Sequence, residues 1–187
     1  PYVFLCGEPE RVPRIAGQMG GGREVAQLRE YTIQNCEIDG TTVTVASTGV
    51  GGPSTAVLVE EMSNIGSHTF IRVGTSGGMG TDGKKGDFVI STGAIRGDGT
   101  TPSYAWPTYP ALAHHESVLA LIAGAEKQGG SYHVGITYSV DAFYAENKIL
   151  ADGELQSMSH NGYCLPSRRE TLRDAIAMGA LHIEMEN

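Results

Sequence analysis

The stretch TTVTVASTGVGGPSTAVLVEEMSNIGSHTFIRVGTSGG, residues 41–78, decides the fold. Its first eight residues, TTVTVAST, are β-branched and small and predict a strand. GVGGPS then breaks the pattern. TAVLVEEMSNIG follows with apolar residues at helical spacing and a glycine stop. HTFIRVG predicts the next strand. An arginine at the inner end of such a strand is costly unless an anion meets it. After Arg72 and Val73 come Gly74, Thr75, Ser76, Gly77 and Gly78, small residues rich in backbone N–H. This stretch therefore predicts a strand–helix–strand unit with a seat for an anion.

Working outward, YVFLC (2–6) predicts a strand, and GEPERVPRIAGQM a turn and a helix. YTIQNCEID (31–39) and the strand at 41–48 flank Asp39-Gly40, a strong hairpin signal. GDFVISTGAI (86–95) and SYHVGITYS (131–139) predict strands. Residues 97–111, rich in Gly, Thr, Pro and Tyr, predict a long functional or interface loop. ALAHHESVLALIAGAEKQGG (111–130) and RRETLRDAIAMG (168–179) predict helices, and ALHIEME (180–186) a last strand. Strands alternate with helices after one early hairpin. The expected class is α/β, a single domain over residues 1–187 with a mixed twisted sheet or barrel flanked by helices.

The 187 residues suffice for one sizeable core. No apolar run reaches membrane-spanning length. The net charge of −8 argues against general nucleic-acid affinity, so an anion site must be built locally from a few placed arginines. Cys6, Cys36 and Cys164 form no CxxC pair and read as free thiols of a reducing cytosol, hence a cytoplasmic protein. The chain opens on Pro1, so the true N-terminus is expected to precede it. Two motifs fail. GMGTDG (78–83) fits a dinucleotide fingerprint and GMGTDGKK nearly fits a P-loop, but the helix that each requires is replaced by strand-like DFVISTGAI. A surface turn with two solvated lysines is the better reading. Adjacent His114 and His115 cannot share a helix face, and the other histidines are isolated, so no metal cluster is expected.

What survives is a constellation of strand ends. CGEPERV (6–12) offers the Gly7 amide and Arg11, STGVGGPS (47–54) enters a helix, and RVGTSGG offers Arg72 and Thr75. Strand ends of this kind converge on a ligand crevice in open α/β sheets, and arginines with glycine amides and a threonine hydroxyl suit a phosphate. In HIEMEN (182–187), Glu184 and Glu186 alternate with Ile183 and Met185 and are expected on one strand face. A carboxylate there either faces solvent or accepts from two vicinal sugar hydroxyls.

STGVGGPSTAVLVEEM resembles the signature of the purine-nucleoside and uridine phosphorylase family. GEPERV, RVGTSGG, DAFY (141–144) and IEME follow in the order of its uridine phosphorylase branch. The resemblance implies phosphorolysis of uridine or a related pyrimidine nucleoside to free base and ribose 1-phosphate, with inorganic phosphate as co-substrate and no cofactor. It implies that Gly7, Arg11, Arg29, Arg72 and Thr75 bind phosphate, Arg29 across a dimer interface. Thr75, Glu184, Met185 and Glu186 would hold the ribose. Ser76, Gly77 and Phe143, with Asn147, would line the base. Arg72, Arg11 and Glu186 would be catalytic. Glu30, Ser54 and the Val50 carbonyl match positions that in some relatives hold a monovalent cation such as K+ between subunits. The implied partners are a second copy, with three dimers forming a hexamer in bacterial relatives, and neither nucleic acid nor membrane.

The match departs at two places. Asn147 and Ile149 stand where the branch carries a base-reading Gln and Arg, with Lys148, Arg168 and Arg169 as nearby substitutes. The family also continues past residue 187, so a C-terminal remainder is expected. The competing readings are a purine nucleoside phosphorylase, a nucleosidase using water, and a non-catalytic nucleoside-binding protein. The arginine set argues against hydrolysis, which needs no phosphate clamp.

Overall fold

A computed structural model describes residues 1–79, 83–149 and 154–187. They form two compact units, Pro1–Thr75 with Glu186, and Ser76–Met185 with Asn187. The class is α/β, with mixed sheets and four α-helices among the described residues.

The first unit contains β1 (Tyr2–Cys6), α1 (Arg11–Gln18), β2 (Arg23–Leu28), β3 (Tyr31–Ile38), β4 (Thr41–Ser47), α2 (Gly52–Asn64) and β5 (Thr69–Arg72). The sheet order is β2-β3-β4-β1-β5. β2, β3 and β4 are antiparallel neighbours, while β1 runs parallel to both β4 and β5. Alternation along β1 builds two cores. Val3 and Leu5 pack with Ala46 and with Leu58 and Met62 of α2. Cys6 packs with Val45, Cys36 and with Val12 and Ala16 of α1. Successive side chains of a strand face opposite sides, so one five-residue strand supports a helix on each face of the sheet. The Asp39-Gly40 hairpin forms as expected, with both residues at positive φ (49° and 74°) as a tight two-residue turn demands.

The second unit contains β6 (Gly77–Gly78), β7 (Phe88–Gly97), α3 (His115–Gln128), β8 (Tyr132–Val140), β9 (Asn147–Ile149), β10 (Leu155–Ser157), α4 (Pro166–Ala177) and β11 (Ala180–Glu184). Four strands order as β6-β11-β8-β7, with β8 parallel to β7 and β11, and β9 and β10 form a separate hairpin. The core joins Tyr138 and Val140 of β8, Leu172 and Ala175 of α4, Ala180 and Met79. A buried polar tie crosses this sheet. His182 Nε2 lies 2.5 Å from Thr137 Oγ1 and 3.2 Å from Ser91 Oγ, and the two hydroxyls are 2.6 Å apart. This accounts for His182 as a satisfied core histidine.

Three differences from expectation have local causes. α3 begins at His115, not Ala111, because the preceding residues side with β7: Ala94 N–H donates to Ala111 O (2.9 Å) and Ala113 N–H to Thr92 O (3.0 Å). β2 was not foreseen, since REVAQL is exposed along its whole length and lacks an apolar alternation. β11 stops at Glu184, so the alternation argument that placed Glu184 and Glu186 on one strand face does not reach Glu186. The glycine-rich turn at 78–83 includes positions 80–82, which lie outside the described residues. Among the described residues no group of His, Cys, Asp or Glu is arranged to hold a metal, and no helix is long and apolar enough to cross a membrane.

Candidate active site

β4, β1 and β5 are adjacent and parallel, so their C-terminal ends share one edge of the first sheet. Register puts Leu5 opposite both Ala46 and Arg72. The turns that leave these ends are stitched together by their backbones. Thr48 N–H donates to Cys6 O (2.7 Å), Gly49 N–H to Gly7 O (2.9 Å) and Val73 N–H to Leu5 O (2.7 Å). Thus Gly7, the Gly49–Gly51 turn and Arg72 meet as the sequence implies.

Two glycines there are closely approached, and Gly49, at positive φ, is the one that requires glycine. Gly49 has φ 71°, and a Cβ on it would stand 2.7 Å from Glu30 Cγ. At Gly74 a Cβ would collide with the Arg72 guanidinium, which folds over it. Gly51, at φ 91°, caps α2 and leaves its own amide outside the helical ladder. That amide donates to Glu186 Oε1 (2.8 Å), and Glu186 Oε2 pairs with Arg72 Nη2. The pair is secluded, with side-chain exposures of 17% for Arg72 and 8% for Glu186. An anion thus sits on a helix N-terminus and an arginine, the two features that favour negative charge there. The sequence did not single out the Gly51 amide. The GVGG run ahead of α2 was its signal.

Arg11, in the first turn of α1, is held by Glu8: Arg11 Nη2 donates to Glu8 Oε1 (3.2 Å) and Nε lies 2.5 Å from Oε2. Cys6 lies beneath these groups. Burial pushes its thiol up to about 11, with Arg11 opposing, Glu8 adding to the rise and Arg72 opposing. Such a thiol is not a nucleophile near neutral pH. Thr75 is exposed at the end of this unit. Arg29 stands exposed on the β2–β3 turn at φ 54°, an unusual conformation for a residue with a side chain.

Glu30 follows it into a small oxygen cluster. Ser54 Oγ lies 3.1 Å from Glu30 Oε1, 2.5 Å from Thr48 O and 3.1 Å from Tyr31 Oη, and Ser47 Oγ donates to Glu30 O (2.6 Å). Carboxylate, hydroxyl and carbonyl oxygens are the donors that a hard monovalent cation takes. Val50 is exposed on the adjoining turn. Tyr31 was not singled out from the sequence.

In the second unit, Ser76 and Gly77 are exposed, and Gly77 pairs with Ile183 in the β6–β11 ladder. Phe143 is 56% exposed and meets Tyr144 edge-on at 5.1 Å between ring centroids. Asn147 opens β9 opposite Ser157. Glu184 is buried at the end of β11, and Met185 packs against the Tyr138–Leu172 core. Glu146, between Phe143 and Asn147 in the sequence, is 3% exposed and lies 3.6 Å from Arg168 Nη1 of α4. Burial raises the Glu146 carboxyl above its ordinary value, and Arg168 opposes the shift. Burial likewise raises the Tyr138 hydroxyl, with Glu146 adding to it and Arg168 opposing.

The folded chain therefore holds the Glu146 proton to higher pH than the unfolded chain does. Between the two values the folded state binds more protons, so this group's contribution to stability falls as pH rises through the window. Glu146→Gln is expected to flatten that slope. Melting temperatures of both proteins from neutral to mildly acidic pH check this: wild type should gain on the variant as pH falls. A constant offset at every pH would contradict it.

A family model described as Phosphorylase superfamily matches residues 1–187. The chain is similar to uridine phosphorylase of Thermococcus kodakarensis (42% identity over 185 residues, 99% of this chain and 64% of the relative). It is also similar to guanosine phosphorylase of Halorubrum lacusprofundi (43% over 150 residues, 80% of this chain and 62% of the relative). Uridine phosphorylase of Escherichia coli K12 is 36% identical over 185 residues, 99% of this chain and 70% of the relative. The chain thus spans 62% to 70% of the length of these relatives.

Proposed function

The chain belongs to the Phosphorylase superfamily, and on that premise we propose that it carries out phosphorolysis of a nucleoside, with uridine or a related pyrimidine nucleoside favoured. Residues 1–187 are read as one phosphorylase-like domain. The observation that carries this is the anion seat: Arg72 and the Gly51 amide already hold a carboxylate, that of Glu186, at the edge where Gly7 also lies.

Inorganic phosphate is the anion proposed for Arg72, with Gly7, Arg11 and Thr75, and with Arg29 donated by a second copy in a homodimer. A phosphate oxygen attacks C1′ as the C1′–N bond to the base breaks. The sugar passes through an oxocarbenium-like state, and the base leaves with the electron pair and takes up a proton. The products are ribose 1-phosphate and free base. Positioning and fixed positive charge supply the catalysis, and the raised Cys6 thiol supports a mechanism without a cysteine nucleophile. Glu186, assisted by Glu184 and Met185, accepts from the ribose hydroxyls. Phe143, Ser76, Gly77 and position 147 meet the base. A monovalent cation, K+ for instance, fits the Glu30, Ser54 and Val50 region, where three oxygens already cluster.

Two of the similar relatives are named for uridine and guanosine. These nucleosides differ in ring size but share a ring carbonyl beside a ring N–H. A keto-bearing purine nucleoside is therefore the second reading of the substrate. The test is product identity. Incubation with uridine and phosphate should yield ribose 1-phosphate, whereas free ribose would indicate a nucleosidase.

A further inference from the structure

We propose that Thr137 is a positioning residue for the sugar-binding end of β11, an inference that rests on the nucleoside reading above. The reason lies in register. Ala180 pairs with Ile136 and His182 with Thr137, so β11 places one extra residue, Leu181, against β8. Ser91 pairs with Gly135 and Gly93 with Ile136, so β7 also places one extra residue, Thr92, against β8. Both neighbours of β8 are thus offset at the same level, beside Ile136. Offsets of this kind re-aim the side chains beyond them. Without the one at Leu181, Ile183 would take the place of Glu184 opposite Ser139, and the Glu184 carboxylate would turn to the other face of the sheet.

The polar tie across this sheet spans both offsets. It joins Ser91, just before Thr92, to His182, just after Leu181. Thr137 stands in the middle, with its hydroxyl 2.6 Å from Ser91 Oγ and 2.5 Å from His182 Nε2. The residue is fully buried, and its hydroxyl can donate to one partner while accepting from the other. The two extra residues are seated by their own contacts. Leu181 lies over Gly135, where a Cβ would stand 2.7 Å from Leu181 Cδ1, and Met79 N–H donates to Leu181 O (2.9 Å). Thr92 O accepts from Ala113 N–H (3.0 Å). Glu184 lies two residues past His182, on the same strand face as the tie. The tie therefore sets the level and the face at which Glu184 and Met185 leave the sheet.

The test compares the full chain as wild type, Thr137→Val and Thr137→Ser. Thr137→Val keeps the β-branched shape and loses the hydroxyl, while Thr137→Ser keeps the hydroxyl. Each protein is measured for uridine and phosphate binding by calorimetry, melting temperature, and amide hydrogen exchange from Ala180 to Met185, with phosphate-dependent base release followed in parallel. Thr137→Val should weaken uridine binding about 10-fold, the scale of one buried hydrogen bond, and leave phosphate affinity within about two-fold. Exchange should quicken at His182, Ile183 and Glu184, and Thr137→Ser should restore both readouts. A lowered melting temperature with uridine affinity unchanged would make the tie structural only and overturn the proposal. An equal loss of both affinities, or no recovery in Thr137→Ser, would overturn it too. Uridine binding that shows the expected pattern without base release from wild type would instead overturn the phosphorylase reading and leave this one standing. No uridine binding by wild type would overturn both.

Discussion

Arg72→Ala lowers kcat/KM for phosphate-dependent base release by about 10²- to 10³-fold, the scale seen when one fixed donor to a developing or attacking anion is removed. The reason is geometric as well as electrostatic. Arg72 ends β5 at the edge it shares with β1 and β4, and its guanidinium lies folded over Gly74 in a secluded position. A charge held there without solvent acts on an anion far more strongly than an exposed one. Arg72→Lys keeps the charge but loses the planar fork, and intermediate activity is expected. Steady-state kinetics against phosphate check both variants. Turnover close to wild type in Arg72→Ala would remove the phosphate assignment.

The second large effect concerns Glu186 and has opposite signs on the two substrates. With no ligand bound, the Glu186 carboxylate is engaged by Arg72 and by the Gly51 amide. Arg72 is proposed to serve phosphate, so on that reading Glu186 competes with phosphate for this guanidinium. If Arg72 takes phosphate and Glu186 the ribose, as proposed, phosphate binding would free a carboxylate oxygen for the ribose hydroxyls, and by linkage each ligand would tighten the other. Glu186→Gln removes the competing charge and the strong sugar acceptor together. Phosphate should bind the free variant several-fold more tightly, while nucleoside binding weakens about 10- to 100-fold. The mutual tightening should disappear. Calorimetric titration of each ligand, alone and with the other present, reads all three quantities. A purely structural role for Glu186 predicts that both affinities fall together, and that outcome would refute the coupling.

Much of the first unit was legible because each feature has a local cause. The Asp39-Gly40 turn needs positive φ, and those residue types supply it. The apolar spacing of TAVLVEEM could only bury its face as a helix. Arg72 after HTFI announced an anion seat, and the fold sets it at one edge with Gly7 and the Gly49–Gly51 turn. The rest depended on partners distant in sequence. Nothing in IEMEN says that the last glutamate meets an amide 135 residues earlier. Tyr31 looked like a strand aromatic until its hydroxyl met Ser54. Exposed β2 carries no apolar pattern to read, because its place comes from pairing with β3. Glu146 and Arg168 were visible as residues, but burial of one and partial exposure of the other emerge only when α4 docks on the loop.

The measurement that bears most directly on the central claim is base release from uridine, thymidine, deoxyuridine, inosine, guanosine and adenosine, each with and without inorganic phosphate, using the full-length protein. Release that requires phosphate and yields a pentose 1-phosphate is the predicted result. Release that proceeds equally without phosphate, giving the free sugar, would contradict it.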